Sequence, residues 1–304
     1  MRQLSLFAGL ILLASSSGCG STRFDWLKPG GGGGGSPQPV PTVDRLVAYL
    51  NDNAGRIKSL RYEDISLTVT LPKHQSFGAL AQMVVEKPLN FRMKARIGGG
   101  DVADVGSNSQ EFWWWNSKDP NPAQYYCAYK DLREGRVRDV NFPIQPEWVI
   151  ETLGLGPYGP ASKYKLEHDA ETVKLIEKIV SPSGKAVRKV IVFQRRPKRP
   201  PDAMVSDYLL LDDASGKEIC SAHISEVHQE KAPSDNGGIA LVILPRKIEL
   251  NFPDMKIKLA MQMDRLTVNP ANLPNAFVRQ PLNGVASINI ANGRSDVQQA
   301  SGKK

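Results

Sequence analysis

The amino-acid sequence predicts a mainly β protein, built as one large curved antiparallel sheet or barrel with two helices. About a dozen segments alternate apolar and polar residues, which is typical of strands with one buried face. Helical signals occur only near residues 42–57 and 146–153. A long succession of strands with so few helices favours a curved sheet or barrel over layered α/β folds. Hydrophobic residues make up 41% of the 304 residues, which is enough for a core.

The first residues of the chain have the composition of an export signal. Arg2 is their only charge, and the apolar run Leu4–Ala14 is shorter than the roughly 20 residues that span a bilayer. Small residues then lead to Cys19. This arrangement resembles a bacterial lipoprotein signal, in which the cysteine is lipidated and becomes the first mature residue. We therefore expect residues 1–18 to be removed and Cys19 to be acylated. The alternative is an ordinary cleaved signal with a chance cysteine.

A tether is predicted over residues 19–41. It contains the flexible run Gly30–Gly35 and then alternating prolines at positions 37, 39 and 41, which favour an extended chain. Such a tether holds a folded domain away from the membrane to which the lipid attaches. Gly20 rather than aspartate follows the cysteine, which is typical of sorting to the outer membrane. The expected location is the bacterial cell envelope, lipid-anchored in the outer membrane and facing the periplasm.

A single domain is predicted over residues 42–290, followed by a polar, disordered tail over 291–304. Thr42 is a candidate N-cap, and apolar residues then recur at helical spacing as far as Ile57, so the domain begins with an amphipathic helix. Pro146 opens a second, short helix over Glu147–Leu153. Strands are predicted over 62–71, 79–86, 91–97, 101–106, 111–116 and 124–130, and again over 163–168, 171–180, 186–195, 204–212, 217–229, 245–252 and 255–268.

Residues that could catalyse a reaction or bind a metal form no recognisable motif. Neither G-x-S-x-G nor H-E-x-x-H occurs. His223 and His228 share a predicted strand, but their odd spacing puts them on opposite faces. We therefore predict no enzymatic activity, no cofactor and no metal, with an unrecognised hydrolase as the least favoured alternative. Cys127 and Cys220 are expected to be buried free thiols rather than a disulfide, because several strands separate them.

The chain is basic, because 39 Lys and Arg residues against 31 Asp and Glu residues give a formal charge of +8. A basic protein favours anionic partners, either nucleic acid or anionic lipid. The densest positive segment, residues 195–199, lies in a proline-rich loop between predicted strands. Because the signal directs export, contact with anionic lipid headgroups is favoured and nucleic acid is not expected.

The order of several short motifs resembles the LolA/LolB lipoprotein-localisation family. Val85-Glu86-Lys87-Pro88-Leu89-Asn90-Phe91-Arg92 is followed by Asp104-Val105-Gly106 and then by Phe112-Trp113-Trp114. In that family a helix and early strands lead to a K/R-Pro-x-x-F segment, an S-D-G-like turn and an aromatic strand. The segment Leu244–Ile248 and the closing strand to Asn269 are also similar to distant members. The resemblance covers residues 42–280.

This resemblance implies a half-open antiparallel barrel whose helices form a lid over an apolar cavity. The cavity would hold acyl chains of lipids or lipoproteins, without catalysis. Lys87 stands where the soluble carrier has an arginine that fastens the lid, so a lid contact is expected there, although lysine lacks arginine's planar fork. Arg92 and Lys94 are expected to face water. Candidate cavity residues are the apolar groups of the strands and the second helix: Leu67, Val69, Met83, Phe91, Met93, Ile97, Trp113, Trp115, Trp148, Leu153, Met261 and Met263.

A second interpretation comes from a different class of protein. The chain would be a structural envelope lipoprotein whose barrel is fully packed and which binds a protein partner. An open apolar cavity favours the first interpretation, whereas a filled barrel favours the second.

Overall fold

The computed structural model describes residues 39–72, 75–119, 122–137, 146–181, 184–195, 204–233, 237–271, 273 and 275–292. The predicted signal, Cys19 and the tether up to residue 38 lie outside these ranges, as do most of the basic loop after Arg195 and the predicted tail from residue 293.

One unclosed, curved sheet of fourteen strands makes up the domain, which confirms the predicted fold class. The order across the sheet is β14-β6-β5-β4-β3-β2-β1-β13-β12-β11-β10-β9-β8-β7. The strands are β1 Ser59–Leu71, β2 Gln75–Glu86, β3 Asn90–Ile97, β4 Gly100–Ser107, β5 Glu111–Asn116, β6 Ala123–Ala128, β7 Tyr164–His168, β8 Thr172–Val180, β9 Ala186–Gln194, β10 Val205–Asp212, β11 Glu218–Pro233, β12 Ile239–Phe252, β13 Ile257–Val268 and β14 Ala286–Asn289.

Two antiparallel meanders form this sheet and meet where β1 pairs with β13. The first meander, β1–β6, ends beside the edge strand β14, and the second, β7–β13, begins at the opposite edge. The chain between β6 and β7 must therefore cross the whole sheet. The helices are α1 Val43–Gly55, α2 Tyr129–Arg133 and α3 Pro146–Thr152, with single 3₁₀ turns at Ala161–Lys163, Pro253–Met255 and Ile290–Asn292.

Helix α1 packs its apolar stripe on the face of the sheet that we call the inner face. Thr42 caps it, with its hydroxyl oxygen accepting a hydrogen bond from the Arg45 amide at 3.4 Å. The predicted amphipathic helix is confirmed, because its apolar residues Leu46, Val47, Leu50 and Ala54 are all buried. They join one continuous core with the inner-face residues of both meanders.

Two side chains of α1 fasten this helix to backbone groups beneath it. The Asn53 amide donates to the Ile243 carbonyl at 2.9 Å and accepts from the Ile243 amide at 2.8 Å, as a neighbouring strand would. Asn51 makes the same paired contact with the backbone of Tyr158. The helix is therefore held by directional bonds as well as by its apolar stripe.

The opposite, outer face of β3–β6 is covered by the C-terminal strap, which we define as residues 275–289. After β13 the chain crosses this face to reach β14, which pairs in parallel with β6. Arg92 holds the strap, because its guanidinium donates to the carbonyls of Ala276 and Val278 at 3.2 and 3.1 Å. The same guanidinium binds both carboxylate oxygens of Asp104 at 3.0 and 2.7 Å.

Three features of the secondary structure differ from the prediction. The strand predicted over 124–130 ends at Ala128, because α2 begins at Tyr129. Strand β11 continues to Pro233 and β12 begins at Ile239, so both are longer than the predicted strands over 217–229 and 245–252. Strand β14 was not predicted, because its four residues are too few to show alternation.

Candidate functional site

A cavity of about 180 Å³ lies on the inner face beside α3, and we call it the α3 cavity. Its apolar walls come from α3 and from three adjacent strands of the second meander, with two ionisable residues at its border. The lining residues are Glu147, Trp148, Ile179, Ser181, Val187, Lys189 and Leu210.

Helix α3 is positioned over the sheet by the crossing connection described above. The Trp148 ring meets the Phe252 ring of β12 edge-on, with centroids 6.3 Å apart. In the segment that follows the helix, the Tyr158 hydroxyl lies 3.0 Å from the Tyr208 hydroxyl of β10. The inner-face residues Ile179, Val187 and Leu210 come from β8, β9 and β10, which are neighbours in the sheet. The cavity is the space that this short helix leaves above them.

A small group of charged side chains adjoins the apolar walls. The Lys189 ammonium donates to the Glu151 carboxylate at 2.7 Å, with side-chain exposures of 23% and 16%. Glu177 lies directly opposite Lys189 on β8. Burial raises the pKa of the Glu147 carboxyl and that of the Glu151 carboxyl, because both lose water around the charged form.

The predicted cavity residues do not all gather at this place. Trp148 lines the α3 cavity. Most of the others on the inner face are packed into the central core, where α1 and the segment after α3 leave little space: Leu67, Met83, Phe91, Met93, Leu153, Met261 and Met263. Val69 is partly buried at the margin of that core, and Ile97 is 38% exposed. The middle of the inner face is therefore filled.

The prediction that Trp113 and Trp115 share a cavity with Phe91 is wrong. Trp113 lies opposite Gly106 on β4, and Gly106 lies opposite Arg92 on β3. Because Arg92 is on the outer face, Trp113 is on the outer face too. Trp115 follows by alternation on the same side. The prediction that Arg92 faces water is also wrong, since only 7% of this residue is exposed and the strap accepts its hydrogen bonds.

The same outer-face cluster explains residues that the sequence motifs singled out. The Arg92 guanidinium lies 5.8 Å from the centre of the Trp113 ring. A Cβ atom on Gly106 would lie 2.3 Å from the Trp113 indole, so glycine is needed for the ring to lie flat on β4. Asp104, Gly106 and Trp113 therefore build the anchor of the strap rather than a ligand site.

Lys87 lies at the C-terminal end of α1. Its ammonium donates to the Ala54 carbonyl at 2.7 Å, a position where a cation complements the helix dipole. Burial lowers the pKa of this ammonium. The contact joins the β2–β3 turn to the helix that covers the core.

A second, wider depression of about 590 Å³ lies on the outer face near the ends of β1–β3. It borders Leu67 and Ile97, but the ion pair of Arg265 with Asp64 lines it as well, together with Glu63, Lys94 and Arg96. Because these charged side chains line it, this depression suits a hydrocarbon chain less well than the α3 cavity does.

Six lining residues of the α3 cavity were not predicted from the sequence: Glu147, Ile179, Ser181, Val187, Lys189 and Leu210. In β9 both faces carry apolar residues, since Val190 and Val192 alternate with Val187 and Ile191. Alternation alone therefore could not assign the inner face. Lys189 was the available signal, because it is the charged residue among the apolar residues Val187, Ile191 and Phe193 at alternate positions of β9.

Cys127 and Cys220 are both buried and not bonded to each other, which confirms the predicted free thiols. Among the described residues, no group of His, Cys, Asp and Glu side chains is arranged to hold a metal ion. Nor does any described helix have the length and apolar character needed to cross a membrane.

No family model matches this sequence, and no curated protein matches it. Solved structures do match the fold. A domain from Vibrio parahaemolyticus described as an outer membrane lipoprotein-sorting protein is 8% identical, with a TM-score of 0.44 over 76% of this chain and 95% of that one. A LolA superfamily protein from Nitrosomonas europaea is 10% identical, with a TM-score of 0.43 over 77% and 97%. A DUF1329 family protein from Desulfovibrio piger is 9% identical, with a TM-score of 0.45 over 78% and 98%.

A lipoprotein-sorting domain and a LolA superfamily protein are thus among the matching structures, and the sequence motifs resemble the same family. Their TM-scores lie below 0.5, so the function of this chain follows from its own contacts.

Proposed function

We propose that this chain is a lipid-anchored module of the bacterial cell envelope that binds acyl chains of lipids or lipoproteins at its inner face. The observation that carries this proposal is the α3 cavity, an apolar space of about 180 Å³ between a short helix and an unclosed sheet. A cavity of about 150 Å³ holds a benzene molecule in a model protein, so this one has room for a short stretch of hydrocarbon. Each methylene buried there contributes about 0.8 kcal/mol.

A complete acyl chain needs more room, and displacement of α3 supplies it. The described contacts of α3 with the sheet are made by side chains, notably Trp148 with Phe252 and Glu151 with Lys189. Helix α1, in contrast, is bonded to the backbone through Asn53 and receives the Lys87 ammonium at its end. In this proposal α3 is the lid and α1 is a fixed wall.

Membrane attachment through Cys19 is the second part of the proposal. Cys19→Ala should release the protein from the membrane fraction, because the lipid is the anchor. The fraction is washed with high salt, since a basic chain also adheres to anionic lipid and salt screens that attraction. Retention of the variant after the wash would show that Cys19 is not the anchor.

Filling the cavity tests the binding site directly. The mature chain with Cys19→Ala is titrated with a fluorescent fatty-acyl probe. Adding Ile179→Trp places an indole in the α3 cavity and should weaken probe binding about tenfold, the loss expected for two buried methylenes. The matched control is Val180→Trp, at the next residue, which is 69% exposed. Equal binding by both variants would contradict the assigned site.

The filled middle of the inner face favours one alternative function. Leu46, Met83 and Met263 are almost wholly buried there, as expected of a structural lipoprotein with a packed half-barrel. Such a protein would bind a partner protein and no acyl probe. Probe titration of the chain with Cys19→Ala alone therefore separates the two functions.

A further inference from the structure

Lys189 is a charged residue in an apolar row. Its inner-face neighbours on β9 are Val187, Ile191 and Phe193, all of which are buried. Its side chain is 23% exposed and borders the α3 cavity. A lysine held in such surroundings needs hydrogen-bond acceptors, because an ammonium loses solvation there.

The described contacts leave part of this ammonium unused. It has three N–H donors. One of them is directed at the Glu151 carboxylate at 2.7 Å, and no other described residue accepts a hydrogen bond from it. Lys189 therefore has donors left for an acceptor that enters the cavity.

The carboxylates around Lys189 restrict which acceptor can enter. Glu147 lines the same cavity, Glu151 binds the ammonium, and Glu177 lies opposite it on the next strand. Three carboxyl groups thus surround one ammonium. A ligand carboxylate would add like charge where little water screens it. An ester or amide carbonyl accepts a hydrogen bond without adding charge.

We propose that the α3 cavity selects acyl chains whose carbonyl is in an ester or amide bond, that Lys189 donates to this carbonyl, and that free fatty acids are disfavoured. This inference rests on the proposed function and adds the chemistry of the ligand's polar end. The hydrocarbon lies against Trp148 and Leu210, and the carbonyl lies at Lys189.

The test compares two ligands with the same chain length. Monododecanoylglycerol carries an ester carbonyl, and dodecanoate carries a carboxylate. Both are titrated by calorimetry at neutral pH into the mature chain with Cys19→Ala. The ester is expected to bind about tenfold more tightly than dodecanoate. The reason is that the carboxylates around Lys189 repel the charge of dodecanoate, whereas the ester carbonyl carries no charge.

Three variants locate the effect. Glu177→Gln removes one carboxylate and should narrow the preference by strengthening dodecanoate binding. Lys189→Met combined with Glu151→Gln removes the donor without stranding a buried charge, and should weaken ester binding about tenfold. Lys165→Met, at a lysine that is 74% exposed on β7, is the matched control and should change neither affinity.

The outcomes separate this inference from the function on which it rests. If neither ligand binds, the proposed function is wrong and the inference is wrong with it. If both bind equally, or dodecanoate binds more tightly, acyl binding stands and the selection for a carbonyl is wrong. If the ester preference survives in the Lys189 variant, the donor has been misassigned. The inference is supported if the ester binds more tightly than dodecanoate, if the Lys189 variant weakens ester binding and if Glu177→Gln strengthens dodecanoate binding.

Discussion

Removing the Arg92 guanidinium should destabilise the domain far more than removing a neighbouring arginine of the same strand. Arg92 and Asp104 are a buried pair, with side-chain exposures of 8% and 3%. Arg92→Leu leaves the Asp104 carboxylate buried without its partner and takes two donors from the strap. Breaking a buried pair in this way costs about 3–5 kcal/mol. In a domain of this size, that corresponds to a fall in Tm of about 10 °C.

The matched control is Arg96→Leu. Arg96 and Asp101 also pair between β3 and β4, but their side chains are 56% and 44% exposed. Such a surface pair contributes about 1 kcal/mol or less. Thermal unfolding followed by circular dichroism compares the two variants. Similar Tm values for both variants would refute the conclusion that Arg92 is a buried anchor. They would support the prediction from the sequence that Arg92 faces water.

Three further predictions concern packing, the thiols and the covering helix. Gly106→Ala should lower the free energy of unfolding by about 1–3 kcal/mol, because the added Cβ meets the Trp113 ring. The control is Gly78→Ala, whose added Cβ has no atom within 4 Å. Equal losses of stability in denaturant titrations of the two variants would contradict this packing. Burial raises the pKa of Cys127 to about 11 and that of Cys220 to about 12. Neither thiol should therefore react with Ellman's reagent at pH 8 until denaturant is added. Rapid reaction of the folded protein would count against their burial. Lys87→Met should cost about 1 kcal/mol and speed hydrogen exchange at the end of α1; unchanged exchange there would mean that the bond to Ala54 is unimportant.

The strands of this protein were predictable because alternation is a local property of the sequence. Phe91 and Met93 share the inner face, as their spacing indicates. Pairing partners were not predictable, because β1 contacts β13 about two hundred residues later in the chain. The order of the two meanders, and hence the two crossings of the sheet, follows from that long-range pairing.

The site was harder to predict than the fold for the same reason. Arg92 alternates with apolar neighbours, which predicted that it faces water. The C-terminal strap, almost two hundred residues later in the chain, covers it instead. Trp113 lies under the same strap. Of the residues predicted for the cavity, Trp148 lines it, and its helix was predictable because a proline at the first helical position is a local signal. The opposing wall includes β9, whose two faces both carry apolar residues, so alternation could not show which face was the inner one.

Native mass spectrometry of the purified full-length protein tests acyl-chain binding most directly. If the α3 cavity binds acyl chains, the spectrum contains species heavier than the acylated chain by the mass of a bound lipid. Val180→Trp retains these species and Ile179→Trp diminishes them. If a preparation to which membrane lipid extract has been added shows only the mass of the acylated chain, the chain does not bind acyl chains, and a packed structural lipoprotein is favoured.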